Sequence, residues 1–402
     1  MIRIGKIEKT VSCGKARVTA SVEINCKTYL LWFEVADQFS DFLCADRCDA
    51  FVMGLFPLAL KTRQDIAFVS PITWQLKDGL VHDFIEVLCQ RQNGLHRVRL
   101  VGEVCDPIRK SDDVIGTGVS CGVDSLFTIK RRLVDSCAGQ KRYLLLNNMT
   151  DEDGDRQHRF ECLSENATSL SEELGIPLIV SDTNYSRGEI PGLTTEGCTT
   201  YCNLFCVLSL QRLFTRYFIA SGGPVGDFSL YLRNGVLGTD CSNYDLLTLS
   251  ACSTSSLKFI VDGLEDRVKK MQTLVDWPPA WNHLDVCFYH KGGKRGNGTY
   301  DCPKCMHTVA EILSQGGLPV LERFKNVFDV GYVRTHMEEY LADIMRIRLH
   351  GHEYGRELWP KRHLAGFVAK DYPRAMSIVW RKMLKKALRL GKTQTGAFSP
   401  RG

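Results

Sequence analysis

Gly116-Thr117-Gly118-Val119-Ser120-Cys121-Gly122-Val123-Asp124-Ser125 lies where a short apolar run, Val114–Val119, gives way to Leu126, Ile129 and Leu133 at helical spacing. A strand, a small-residue loop and a helix therefore follow one another. Moving outward, the pattern repeats. Tyr143–Leu146 reads as a second strand, followed by a polar loop over 147–155. Leu163, Ala167, Leu170 and Leu174 mark an amphipathic helix that Gly175 and Pro177 stop. Leu178–Val180 is a third strand, Thr199–Phe214 a long helix, and Tyr217–Ala220 a fourth strand. Such alternation predicts an α/β fold, a parallel sheet with helices on both faces. Ligands of such sheets sit at the carboxyl ends of the strands.

The loop has three features that suit an anion. Small residues let the backbone come close. The start of the following helix offers unpaired amides and the positive end of its dipole. Ser120 and Ser125 add hydroxyls. Where a P-loop carries Lys before Ser/Thr, this chain carries Asp124. A carboxylate beside a polyphosphate implies a bridging cation, so Asp124 predicts Mg²⁺. The glycine spacing is wrong for a dinucleotide fingerprint. The plain alternative is a glycine-bearing turn that binds nothing.

Bulk composition narrows the rest. The chain has 402 residues, 44% apolar and 24% charged, with a formal net charge of +5. Those values are globular. No apolar run approaches the roughly 18 residues of a bilayer span, and Met1–Thr10 carries Arg3, Lys6, Glu8 and Lys9. The expectation is a cytoplasmic protein with no membrane role, whose 17 cysteines are reduced. Most then read as small buried hydrophobes. Cys198, Cys202 and Cys206, on one helix face, read as core packing.

Four segments are expected. Residues 1–105 form an α+β region with strands near Ala16–Ile24 and Tyr29–Val35 and helices near Cys48–Leu60 and Ile72–Gln90. Residues 106–282 hold the nucleotide-type sheet, 283–330 a Cys/His/Gly-rich segment, and 331–402 a helical region. The last helix, about Met376–Leu390, sets Val379, Met383, Leu384, Ala387 and Leu388 on one face and Arg381, Lys382, Lys385, Lys386 and Arg389 on the other. After Asp371 the chain has eight Lys or Arg and no acid. That helix is a weak candidate for contact with nucleic acid or an acidic protein, against the plainer reading of a solvated face.

Cys287-x2-His290-x11-Cys302-x2-Cys305 has the spacing of two metal knuckles. Four such ligands can surround Zn²⁺ tetrahedrally. Cys302 and Cys305 are the firm half, and His307 and His283 are rivals to His290 for the fourth position.

The run Ser120-Cys-Gly-Val-Asp-Ser125 resembles the Ser-Gly-Gly-x-Asp-Ser loop of the N-type ATP pyrophosphatase (PP-loop) family, with Cys121 in place of the first glycine. That resemblance implies the adenine nucleotide alpha hydrolase-like (HUP) fold. It implies ATP gripped by its β- and γ-phosphates at Gly118, Ser120, Cys121, Gly122, Val123, Asp124 and Ser125, with adenine held at Asn147 and Asn148. Asp124, Ser120, Ser125 and Arg267 would then be catalytic. Arg267 would neutralise charge on leaving pyrophosphate, though a salt bridge is an equal reading for Arg267 and Lys270. Thr183-Asn184 would face the substrate. The cysteine segment resembles the zinc site of the 7-cyano-7-deazaguanine synthase branch, with Thr299 standing where a cysteine is expected and His290 substituting.

What the resemblance implies is ATP-dependent adenylation of a carboxylate or amide oxygen, followed by attack of a nitrogen nucleophile. The acid would be a deazaguanine acid, kept free or joined to a macromolecular partner such as a protein. The alternatives are an ATP-binding regulatory module without turnover, marked by Cys121, and a sulfur-transferring enzyme of the same family.

Overall fold

The computed structural model of the chain describes every residue except 93, 137–138, 150–153, 231–239, 288–301, 350–352 and 396–402, and describes no side chains for 154–156, 353–356 and 385–395. The chain divides into two compact units, Met1–Glu265 and Asp266–Gly402.

The strands of the first unit are β1 (Ile2–Ile4), β2 (Glu8–Ser12), β3 (Lys15–Ile24), β4 (Lys27–Ala36), β5 (Ile66–Phe68), β6 (Ile72–Thr73), β7 (Leu100–Val101), β8 (Val104–Cys105), β9 (Val114–Gly118), β10 (Lys141–Asn148), β11 (Leu178–Thr183), β12 (Arg216–Ala220) and β13 (Lys258–Asp262). Eleven of them form one sheet, ordered β13-β12-β9-β10-β11-β4-β3-β1-β5-β7, with β2 paired to β3. β6 and β8 pair separately. From β13 to β11 every pairing is parallel. Counting these five strands along the chain, their order is 3-2-1-4-5, that of a doubly wound sheet. The α/β class expected from the alternating pattern is the class observed. β9 sits inside the sheet, which is why Val114–Thr117 is buried at every position rather than at alternate ones.

The sheet does not stop at residue 105. β4 runs antiparallel to β11, pairing Val35 with Ser181 and Phe33 with Thr183. β3 and β4 are joined register for register over ten residues each. Their turn is Asn25-Cys26, with φ of 51° and 61°. Both angles are left-handed, as a two-residue hairpin turn matching the sheet twist requires. β3 alternates buried and open positions, so one hairpin face belongs to the core.

That core crosses the same boundary. The helix Asp49–Thr62 is buried at every residue from Asp49 to Leu60. It packs on the helix Thr199–Ser209. Phe205 lies 5.4 Å from Phe51, 5.9 Å from Tyr185 and 6.2 Å from Phe33, ring centre to ring centre. Gly54 admits this contact, because a Cβ there would stand 3.2 Å from the Phe205 ring. Where a helix was expected from Ile72, the first two residues are β6, and the helical stretch Trp74–Arg91 passes through a π-helical turn at Leu80–Phe84.

The second unit is helical among the described residues. Its helices include Arg267–Leu274, Pro278–His283, Pro303–Leu313, Met337–Leu349, Glu353–Lys361 and Asp371–Thr395. The last packs Ala375 and Val379 against Leu341 and Ala342. Met383 and Leu384, placed on the same helix face as Val379, do not share its burial. They are 45% and 57% exposed, beside exposed Met376 and Trp380.

Candidate functional site

The chain runs from β9 to β10 and β11 on one side, then returns to β12 on the other. The strand order therefore reverses between β9 and β12, and ligands of open α/β sheets bind in the crevice at such a point, beyond the carboxyl ends. The loop 119–122 leaves β9 at that crevice.

Locally, the loop is built by its own serine. The Ser125 hydroxyl accepts the Ser120 amide at 3.0 Å and reaches the Gly118 carbonyl at 3.4 Å. The amide of Leu126 bonds the Gly122 carbonyl and starts the helix Val123–Thr128. Ser125 is thus buried and holds the loop's path, while Ser120 stands exposed and Asp124 half-buried. Cys121 has φ +53° and a fully buried side chain. It takes the left-handed angle that a glycine takes without strain, with its thiol turned into the protein. Gly116 serves packing. A Cβ there would meet the Phe214 ring at 2.3 Å. Gly118 has more room, its nearest neighbour being the Tyr217 hydroxyl at 3.6 Å.

Around the loop, β10 ends at Asn147 and Asn148. The Ser181 hydroxyl donates to Asn147 Oδ1 at 2.6 Å, and Asn147 Nδ2 donates to Asn203 at 3.4 Å. Asn148 is buried. The next segment is a clasp. The Thr183 hydroxyl donates to the Trp32 carbonyl at 2.6 Å, Asn184 accepts the Trp32 amide at 3.0 Å, and Asn184 donates to the Leu30 carbonyl at 2.8 Å. Thr183-Asn184 fastens β4 to the sheet. At the end of β13, Asp262 is 1% exposed and takes Arg132 at 2.5 Å, with Arg131 at 4.0 Å. A π-helical turn, Ile129–Val134, carries both arginines.

On the β12 side lies a cleft that the sequence reading did not identify. It encloses about 650 Å³, part of it open to solvent, and is lined among others by Ser221, Gly223, Asp227, Asn243, Asp245 and Leu264. Gly223 admits the Asp227 carboxylate, which a Cβ would meet at 2.5 Å. Burial pushes the Asp245 carboxyl up to about 7, against the Thr200 hydroxyl that donates to it at 2.5 Å. A carboxyl that titrates near neutrality in a cleft can carry a proton to or from a bound group. One sequence signal pointed here. Gly222-Gly223 follows a parallel strand, as the first loop follows β9.

The second unit holds two further expected groups. Arg267 belongs to it, not to the unit of the loop. Its guanidinium donates to buried Glu311 at 2.9 Å and to Thr308 at 3.3 Å, so the geometry described for it is an ion pair. Lys270 is fully buried in the same helix. The thiols of Cys287, Cys302 and Cys305 are buried and all lie within 4.8 Å of one another. Pro303 starts the helix Pro303–Leu313, so Cys302 precedes its first turn and Cys305 sits within it. A metal–sulfur bond of about 2.3 Å places two sulfurs on one tetrahedral ion about 3.8 Å apart, so the triplet fits a single ion. His290 lies outside the described residues. His307 faces Asp343 at 3.1 Å. His283 is buried at the end of the helix Pro278–His283. The structure thus brings the three cysteines together and leaves His290 undescribed.

Among the other described thiols, Cys44, Cys48, Cys198, Cys202, Cys206, Cys241 and Cys252 are buried packing residues, whereas Cys13 and Cys26 are exposed. No disulfide joins the described cysteines. Burial raises Cys198, despite Lys61 at 3.5 Å, and raises Cys202 far out of the thiolate range. Burial pushes Cys241 up to about 12. No helix among the described residues is long and apolar enough to cross a membrane.

No family model and no curated protein matches the chain. Among solved structures, the U34-tRNA thiolase NcsA from Methanococcus maripaludis, determined with its [4Fe-4S] cluster, is similar at 14% identity and a TM-score of 0.32, over 65% of this chain and 75% of that chain.

Proposed function

We propose that the chain is an ATP-dependent adenylating enzyme of the PP-loop type, acting on a carboxylate or amide oxygen. The observation that carries this reading is the loop after β9. It leaves the sheet at the topological reversal, it enters a helix, and Cys121 takes a left-handed backbone angle, one that glycine adopts without strain. A cysteine that keeps the loop's path and turns its thiol inward leaves the amides of the first helical turn facing the crevice. In this reading Asp124 holds Mg²⁺, which offsets the phosphate charge. Ser120 and the amides of Cys121, Gly122 and Val123 hold the pyrophosphate end of ATP, and the end of β10 at Asn147 and Asn148 holds the adenine. The substrate acid lies in the cleft beside β12, where Asp245 is placed to accept a proton from an attacking ammonia or amine. Cys287, Cys302 and Cys305 hold structural zinc, whose binding would stabilise the helix they begin. We infer a 7-carboxy-7-deazaguanine-type acid as substrate, free or passed to a macromolecule.

A sulfur relay along the Cys198–Cys206 row would need an accessible thiolate there, and that row is buried, with burial raising Cys198 and Cys202. The deciding experiment is ATP–pyrophosphate exchange with a panel of carboxylic acids, followed by mass spectrometry of the adenylate. Acid-dependent exchange that Asp124→Ala abolishes is expected. Tight ATP binding with no exchange for any acid would instead establish a regulatory module.

A further inference from the structure

The mild net charge of the whole chain conceals a separation. The unit Asp266–Gly402 holds 24 Lys and Arg against 13 Asp and Glu, a net of +11, whereas Met1–Glu265 holds 27 against 33, a net of −6. Within the second unit the excess concentrates in residues 331–402, with 15 basic and 6 acidic. Two of those acids are committed inside the unit: Asp343 faces Arg346 at 2.8 Å, and Asp371 caps its helix by accepting the Val368 amide at 2.8 Å. Arg348, Lys370, Arg374, Arg381 and Lys382 stand exposed.

Aromatic rings are interleaved with these charges. Trp359 carries guanidinium groups of Arg362 and Arg348 over its ring, at 4.1 and 4.6 Å from the ring centre. Trp380 is 60% exposed on the next helix. The two sites share one small body, because Phe367 packs against both the Leu358 cluster and the Ala375–Val379 cluster. Flat rings set among arginines and lysines serve a single strand, whose bases stack while its phosphates meet the cations. Duplex binding needs the charge but not the ring. A lipid surface would use the exposed Met376, Met383 and Leu384 beside Trp380, yet it would have no use for guanidinium stacks on a second helix or for charge spread across the unit.

We propose that the second unit binds single-stranded nucleic acid across its C-terminal helices, with Trp380 stacking on a base and Arg348, Arg374, Arg381 and Lys382 meeting phosphates. This assignment stands apart from the adenylation reading and survives its failure. The test is fluorescence anisotropy of the full chain with a labelled 20-nucleotide mixed-sequence RNA, the same sequence as DNA, the corresponding duplexes, and vesicles containing phosphatidylserine. Both single strands should bind more tightly than the duplexes. Neutralising about five phosphates gives a slope near −3.5 in log K against log salt, so affinity should fall about 100-fold between 50 and 200 mM. Arg381→Glu with Lys382→Glu should weaken binding at least tenfold, and Trp380→Ala about tenfold, with Trp380→Phe restoring most of it. Each variant should keep the thermal melt of the parent, since all three side chains are exposed. Absence of salt-dependent strand binding, duplexes binding as tightly as strands, or binding to vesicles alone would overturn the proposal.

Discussion

Three of the described cysteines hold left-handed backbone angles, Cys13 at φ 50°, Cys26 at 61° and Cys121 at 53°. Cys13 and Cys26 lie in hairpin turns and are exposed. Cys121 is buried, so two opposing effects meet there. Glycine would relieve the angle by up to about 1 kcal/mol and lose a buried thiol of similar worth. Cys121→Gly should therefore leave urea stability within about 1 kcal/mol of the parent. Cys121→Val, β-branched at positive φ, should lose about 2 kcal/mol or more. Equal stabilities for the two variants would mean that this angle is not what constrains the position.

Asp245 gives a pH signature. Its carboxyl titrates near 7 in the fold and near 4 unfolded. The unfolded chain loses that proton first, so this group reduces stability as pH rises from about 4 to about 7. Asp245→Asn should flatten that part of the melting-temperature profile. Glu34 acts in the opposite sense. Burial works against its charge, but hydrogen bonds from Lys15 and Arg17 hold its carboxyl below the usual range. Its contribution is present above its unfolded value and is lost in acid, so Glu34→Gln should blunt the acid side of the same profile.

At the scale of elements, the helix Pro303–Leu313 begins inside the cysteine triplet. Metal analysis of the purified chain should find about one equivalent of zinc. Cys302→Ser with Cys305→Ser should remove it and lower the melting temperature of the second unit. Full metal retention by that double variant would exclude the site. The spacing of these cysteines was legible in the sequence because short-range ligand pairs are written in short-range positions. Four of the five parallel strands were legible for a related reason, each being an apolar run beside a helical period. β13, Lys258–Asp262, was missed because Lys258 opens it and Asp262, held by Arg132, closes it. The terminal helix was legible as amphipathic, but not which apolar side chains find a partner. Met383 and Leu384 repeat at the right spacing and still stand in solvent.

At the scale of the molecule, residues 1–105 looked separable, since the repeated strand–loop–helix pattern begins only after that point. The pairing of β4 with β11 is what the sequence could not display. Such a join depends on two strands far apart in the chain, each of which reads as an ordinary half-exposed strand alone. Deleting 1–105 should strip the Phe205 face of its cover and leave β11 as an open edge. The fragment 106–402 should therefore aggregate, and a fragment that stayed soluble and melted cooperatively would show residues 1–105 to be an appendage. The strand-to-helix turn after β9 was legible in the sequence, and the cleft beside β12 was not, because its lining comes from loops that converge only in space.

The β4–β11 seam also has a consequence for synthesis. The amide of Trp32 waits for Asn184, 152 residues later. At translation rates of about 5–20 residues per second, the hairpin of β3 and β4 stands for roughly 8–30 seconds with one edge unclaimed. Contacts of such long range also close slowly once the chain is free. The nascent protein is therefore most exposed to mispairing early, and an N-terminal hairpin that folds first must remain soluble until the middle of the chain arrives to complete it.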